Sequence, residues 1–455
     1  MPTIFAEHAL LPEGWATSVR LGIGQNGKID RVTAGTTARP DDTRVAVLLP
    51  APANLHSHTF QRAMAGLAER RGPAERDSFW TWRETMYRFL DILTPDEIEA
   101  IAAQAFMEMQ EAGFAAVAEF HYLHHQPGGA AYAELGELSS RIAAAAAQTG
   151  IGLTLLPVYY AQGGVDGRPL KGGQLRFGND LERFERLLAR CGDIAKSLPP
   201  DTRLGVAPHS LRAVSPADLQ ELERLMPDAP FHMHIAEQKA EVEETLAVFG
   251  QRPVAFLLDR FDVGPRWCLI HCTHMVSDET ERLARSGAVA GLCPVTEANL
   301  GDGIFDGALY LAAGGRLGVG SDSNIRISFH EELRQLEYSQ RLRDKARIVL
   351  AEANESCGRK LFDLALAGGA QALGRDSGAI AAGRWADLVA LDPAALDNAP
   401  PGDDLLDHWV FAGGSNSVAD VWSAGRHVVQ GGRHLARDMV SARYRTALSA
   451  IRGRL

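Results

Sequence analysis

The chain has 455 residues, with 46 Lys plus Arg against 57 Asp plus Glu, a formal net charge of −11, and a composition 46% hydrophobic and 23% charged. This is a soluble globular composition, long enough for one large barrel and a smaller domain; its acidic balance argues against a nucleic-acid surface, and it has neither a run of about 18 apolar residues nor a signal-peptide start. The 5 cysteines (Cys191, Cys268, Cys272, Cys293 and Cys357) are odd in number and form no CxxC, so buried thiols in a reducing cytoplasm are expected.

Residues 1–48 read as strands, with Gln25-Asn26-Gly27 as a hairpin turn between two alternating runs. Apolar strand candidates follow at 46–55, 114–121, 151–160, 203–208, 230–235, 267–272, 288–293 and 316–320. Helix starts lie between most of them: Thr94-Pro95-Asp96-Glu97 combines an N-cap, a first-turn Pro and a capping-box Glu, with Gly113 as its stop; Ser215-Pro216 repeats the pattern; Ser277 opens a helix that ends near Gly287. Strands alternating with helices predict an α/β fold, a parallel (β/α)8 TIM barrel. A doubly wound sheet has no GxGxxG after a strand to support it. The tail returns to β-rich pieces at 384–391 and 417–434. The expected organisation is therefore a barrel over 49–375 and one β-sandwich built from 1–48 plus 376–455. Residues 59–93 form an enlarged first βα loop carrying Phe79, Trp80, Trp82, Arg83, Tyr87 and Phe89. These aromatics either cover a pocket, pack against a partner subunit, or form a local helical core.

Barrel active sites collect at the C-terminal ends of strands. Here those ends hold Asn54-Leu55-His56-Ser57-His58, His232-Met233-His234-Ile235-Ala236-Glu237, His271-Cys272-Thr273-His274 and Ser321-Asp322-Ser323-Asn324. Strand alternation puts His56 and His58 on one face. Imidazoles and a carboxylate converging from several strand ends suit Zn²⁺ with an open position for water.

These residues resemble the amidohydrolase superfamily over nearly the whole chain. The resemblance implies metal ligation by His56, His58, His234 and Asp322, with His234 favoured over His232 because Glu237 follows it by three positions. The fourth strand reads Val206-Ala207-Pro208-His209-Ser210, with no Lys to bridge two metals; a single metal of the deaminase branch is implied, one Zn²⁺ per subunit with other divalent metals able to share the ligands. Asp322 would then act as general base, Glu237 would carry a proton to the leaving nitrogen, and His271 would orient the nucleophile or stabilise developing charge. His274 reads as structural.

The stretches HSHTFQRAMAGLAE, FWTWRETMYRF, EFHYLHH, APHSLRAVSP, HMHIAEQ and CPVTEANLGDGIF further resemble the formiminoglutamate deiminases, enzymes of histidine degradation whose substrate carries two carboxylates. That resemblance implies substrate contacts from Gln61, Tyr122, His209 and Arg212, a carboxylate contact from Arg83 of the same or the neighbouring subunit, and a homodimer. Two arginines suit a dicarboxylate. The alternatives are a deaminase of a heterocycle such as guanine or an adenosine derivative, with both arginines structural, and a barrel that has lost catalysis, against which every expected ligand position is occupied.

Overall fold

The structure is a computed structural model that describes residues 2–69, 79–414 and 416–455, with the side chains of Phe79 and Trp80 also outside the description. What was expected of those two aromatics therefore lies outside the described residues.

The barrel strands are Ala53–Ser57, Ala116–His121, Gly152–Tyr159, the pair of short pieces Arg203–Leu204 and Ala207–Pro208, Phe231–Ile235, Trp267–His271, Val289–Leu292 and Arg316–Val319. All their pairings are parallel, in two arcs that follow chain order. Two further parallel bridges, Val206 to Phe231 and Ser57 to Asp322, join the arcs and close the barrel. The predicted helices lie where their caps place them. The Thr94 hydroxyl accepts from the Glu97 N–H at 3.4 Å while the Glu97 carboxylate accepts from the Thr94 N–H at 3.0 Å, opening the helix Pro95–Glu111. Ser215 caps Pro216–Leu225 through the Asp218 N–H at 3.1 Å, and Ser277–Ser286 ends at Gly287.

The expected strand at 46–55 is two strands. Thr43–Pro50 belongs to the small domain and Ala53–Ser57 to the barrel. Pro50 and Pro52 flank the join, and proline has no N–H to carry a ladder onward.

The small domain, among the described residues, is one 8-stranded sheet. Its order is Arg433–His434, Arg426–Gln430, Val418–Ser423, Leu388–Leu391, Thr43–Pro50, Thr3–Leu11, Gly14–Ile23, Ile29–Thr33, so both chain ends interleave as expected. The sheet curls until its edge strand meets the segment before Leu388: Ile29 N–H donates to the Arg384 carbonyl at 2.9 Å and Ala386 N–H to the Gly27 carbonyl at 3.0 Å. The two layers of the expected sandwich are thus two arms of one sheet, closed over Val19, Leu21, Ile29, Leu48, Leu388 and Trp422. Its other face, including Val47, Leu49, Val389 and Val421, joins the main core.

Within 376–455, the helices Asp403–Phe411 and Arg437–Arg452 pack on barrel helices rather than on the sheet. The second runs along Pro95–Glu111, with Arg443 on Glu99 at 2.5 Å. A buried latch ties sheet to barrel: Arg375 bonds Asp387 at 2.6 Å and Asp201 at 2.9 Å, and Arg426 meets Asp201 at 2.7 Å. Among the described residues no helix is long and apolar enough to cross a membrane.

Candidate active site

The closure between the first and eighth strands brings the ligand candidates together. Asp322 N–H donates to the His56 carbonyl and His58 N–H to the Asp322 carbonyl, each at 2.9 Å. The approach is close enough that a Cβ on Gly320 would lie 2.7 Å from the His56 backbone, so only glycine fits there. Polar side chains stitch the same seam. Asn54 donates to the Ser321 hydroxyl at 2.6 Å, and the Asn324 amide donates to the Ser57 hydroxyl and the His58 carbonyl, each at 3.1 Å. Asn324 thus braces the Asp322 turn, whereas Ser323 faces the cavity.

His56, His58, His234 and Asp322 each direct one donor atom to a common point, all within 4.8 Å of one another. His56 Nε2 is 3.2 Å from His58 Nε2, and the Asp322 carboxylate is 3.5 and 3.3 Å from the two. Ligand atoms about 2.05 Å from a tetrahedral Zn²⁺ stand about 3.3 Å apart, so the spacing fits that ion. The outer ring nitrogens are arranged to match. His58 Nδ1–H donates to the Phe120 carbonyl at 3.0 Å and His234 Nδ1–H to the His209 carbonyl at 3.1 Å, which leaves both Nε2 lone pairs facing the common point. Burial holds His56 down at about 3, keeping it neutral. Burial alone would raise the Asp322 carboxyl, but His56, His271 and His58 outweigh it and hold it well below the usual carboxylate range.

Next to this cluster stand Glu237 and His271. His271 Nε2 is 3.9 Å from Glu237 and 3.8 Å from Asp322, and its Nδ1 donates to Glu297 at 3.1 Å. Burial opposes a charge on His271, yet Glu297, Glu237 and Asp322 push it up to about 10. Arg212 pairs with Glu237 at 3.3 Å and lies 3.9 Å from Glu241. Glu241 in turn accepts the Ala236 and Glu237 N–H groups at 3.2 Å each. The strand ends that present these groups are strained. Ala236, His271, Cys272, Asp322 and Asn324 have φ of 51°, 75°, 51°, 45° and 56°, a left-handed region costly for residues with a Cβ and concentrated at functional sites.

A cavity opens over the cluster. Gln61, Arg83, Tyr122, His209, Arg212, Glu237, His271 and Asp322 line it with His58 and His234, while His56 lies buried beneath. Arg83 enters the cavity of its own chain, where it donates to the Tyr160 hydroxyl at 3.2 Å. Gln61 donates to the Tyr122 hydroxyl at 2.9 Å. His232 turns away and bonds the Ala372 carbonyl at 2.7 Å; His274 bonds the Asp302 carbonyl at 2.9 Å. Sequence reasoning passed over Tyr160 and Phe177 in the cavity wall. Tyr160 follows directly on the third strand, so the rule of strand ends applies to it as well. Phe177 sits on a connecting loop and carries no such signal. From the first loop, Trp82, Met86 and Tyr87 also face the cavity, while Phe89 is buried in the main core.

Residues 47–428 match the amidohydrolase family, and residues 1–46 match the N-terminal domain of formimidoylglutamate deiminase HutF. The chain is 51% identical to the formimidoylglutamate deiminase of Pseudomonas aeruginosa over 96% of its own length and 97% of that protein's. An amidohydrolase from Brucella melitensis superposes with a TM-score of 0.95 at 52% identity, covering 99% of this chain and 100% of that one. An adenosine deaminase from Xanthomonas campestris solved with bound zinc shares the fold, with a TM-score of 0.81 at 23% identity over 99% and 98% of the two chains. Matched over most of its length by that family and sharing its barrel with an interleaved small domain, the chain belongs to the amidohydrolase family.

Proposed function

We propose that the chain is a zinc-dependent deiminase that converts N-formimino-L-glutamate and water to N-formyl-L-glutamate and ammonia, in histidine degradation. The observation that carries this reading is a single cavity in which a metal-ligand cluster, the Glu237–His271 pair and two arginines all face one space. The name of the P. aeruginosa relative, formimidoyl being the same group as formimino, supports the substrate.

His56, His58, His234 and Asp322 would hold one Zn²⁺ per subunit, and the bound ion supplies the Lewis acidity that makes water nucleophilic at neutral pH. Asp322 accepts a proton from the attacking water. The water oxygen bonds to the formimino carbon as Glu237 delivers a proton to the terminal nitrogen, and His271 steadies the charge that develops on oxygen. The hydroxyl proton then returns to Glu237 as the proton held by Asp322 passes to the nitrogen, the carbon–nitrogen bond breaks, and ammonia leaves with both carboxyl groups back in their starting states. Arg83 and Arg212 take the two carboxylates, which suit a guanidinium's planar fork. Gln61, Tyr122 and His209 hold the rest of the substrate; burial, reinforced by Arg212 and Arg83, keeps His209 neutral and able to accept a hydrogen bond.

We also assign a cytoplasmic homodimer without nucleic-acid or membrane partners. The five cysteines are buried and free, which suits a reducing compartment, and the net charge of −11 disfavours polyanions. Metal-replete protein is expected to release ammonia from N-formimino-L-glutamate, with Asp322→Asn and Glu237→Gln each losing at least about 100-fold in kcat. Replete protein that leaves this compound untouched overturns the reading.

A further inference from the structure

We propose that Glu297 is a positioning residue that fixes the orientation of the His271 ring, an inference that rests on the deiminase reading of the cavity. Glu297 lies on the short helix Pro294–Leu300, which follows the seventh strand. It is 26 residues from His271 in sequence, yet its Oε1 accepts the His271 Nδ1–H at 3.1 Å. Both side chains are almost fully buried, at 8% and 1% exposure, so water cannot substitute for this bond.

Glu297 is itself held by its own turn. The same Oε1 accepts the Cys293 N–H at 2.8 Å, and the Glu297 N–H donates to the Cys293 carbonyl at 2.9 Å. The carboxylate therefore has a fixed place before any substrate arrives. His271 is the member of the site that most needs such a hold. Its backbone and that of Cys272 sit at φ 75° and 51°, a strained end from which the ring is aimed. With Nδ1–H committed to Glu297, Nε2 is the nitrogen left to face Glu237 and Asp322 and to steady the charge that develops on oxygen. A ring turned over would point a carbon at the reacting centre. A carboxylate that orients a working imidazole from behind is a recurrent device of histidine catalysis and metal sites.

Because both donors converge on one oxygen of Glu297, a glutamine can keep both bonds while losing the charge, whereas alanine loses them. The test compares wild type, Glu297→Gln and Glu297→Ala as zinc-loaded protein. Each is assayed for kcat and KM by ammonia release from N-formimino-L-glutamate, for metal content, and by ¹⁵N-edited histidine spectra in which His271 is identified by comparison with His271→Asn. We expect Glu297→Ala to lose about 10- to 100-fold in kcat, with KM within about twofold, metal content unchanged, and the Nδ1–H signature of His271 lost. We expect Glu297→Gln to stay within about tenfold of wild-type kcat and to retain that signature. Wild-type kcat in Glu297→Ala, a loss that tracks metal content or KM instead of kcat, or a wild-type spectrum in which His271 carries no Nδ1 proton overturns the proposal. Wild type that releases no ammonia overturns the deiminase reading, while the spectra still decide whether Glu297 holds the His271 Nδ1–H.

Discussion

Arg212→Met separates substrate recognition from structure. Arg212 is buried with its guanidinium 3.3 Å from Glu237 and 3.9 Å from Glu241. Met keeps much of the stem and removes the charge. It leaves Glu241 fully buried, where burial already raises its pKa against the pull of Arg212. Stripping the partner from a buried ion pair costs about 3–5 kcal/mol. Glu241 retains the Ala236 and Glu237 N–H groups at 3.2 Å each, which places the expected loss of stability near the lower end, about 3 kcal/mol. Catalysis loses a desolvated guanidinium–carboxylate contact, worth about 3 kcal/mol or roughly 150-fold in kcat/KM. Adding Glu241→Gln removes the stranded charge while keeping one of its two accepted bonds. The double variant should recover about half or more of the lost stability in denaturant unfolding, yet remain as impaired in kcat/KM as the single variant. Recovery of stability and of kcat/KM together would make Arg212 a structural residue and refute its carboxylate role, and with it the preference for a dicarboxylate over a heterocycle.

Arg375→Met should destabilise the fold by about 3–5 kcal/mol, because it strands Asp387 and leaves Asp201 to Arg426 alone at the join between sheet and barrel; denaturant unfolding measures it, and a loss under about 1 kcal/mol would show that the latch is dispensable. His330 gives the fold an acid-labile component. Burial, with Arg334 adding to it, holds His330 down at about 4, so below about 6.5 the unfolded chain takes up this proton before the folded one. Its contribution is present above about pH 6.5 and falls by about 1.4 kcal/mol per unit as the pH drops toward 4. The stability gap between wild type and His330→Gln should therefore move in favour of the variant by about 2 kcal/mol from about pH 7 to about pH 5; parallel stability curves would contradict this.

Much of the site was legible because its signals are local. HxH in a strand, a His three residues before a Glu, and an Asp at a strand end are each readable over a few positions, and strand alternation orients them. Cap residues placed the helices for the same reason. Thr94 and Glu97 satisfy each other across one turn. The join at Pro50 to Pro52 was hidden because 46–55 is one apolar run, buried on both faces in the small sheet and in the barrel, so no alternation marks where one strand ends. The cavity wall depends on packing between distant loops. Arg176, fully buried, bonds the carbonyls of Leu90, Leu93 and His125, and so docks the loop carrying Phe177 on the first-loop helix Phe79–Leu90. Nothing in the neighbourhood of Arg176 in sequence announces those partners. The pairing of Glu297 with His271 was hidden for the same reason.

The most direct measurement is zinc titration of chelator-stripped protein, with ammonia release from N-formimino-L-glutamate followed at each step. We expect no turnover without metal, and a rate that rises linearly and levels at one equivalent per chain, with Asp322→Asn and His234→Ala failing to reach it. Full turnover by stripped protein, or none at saturating metal, would contradict the convergence of His56, His58, His234 and Asp322 on a working ion.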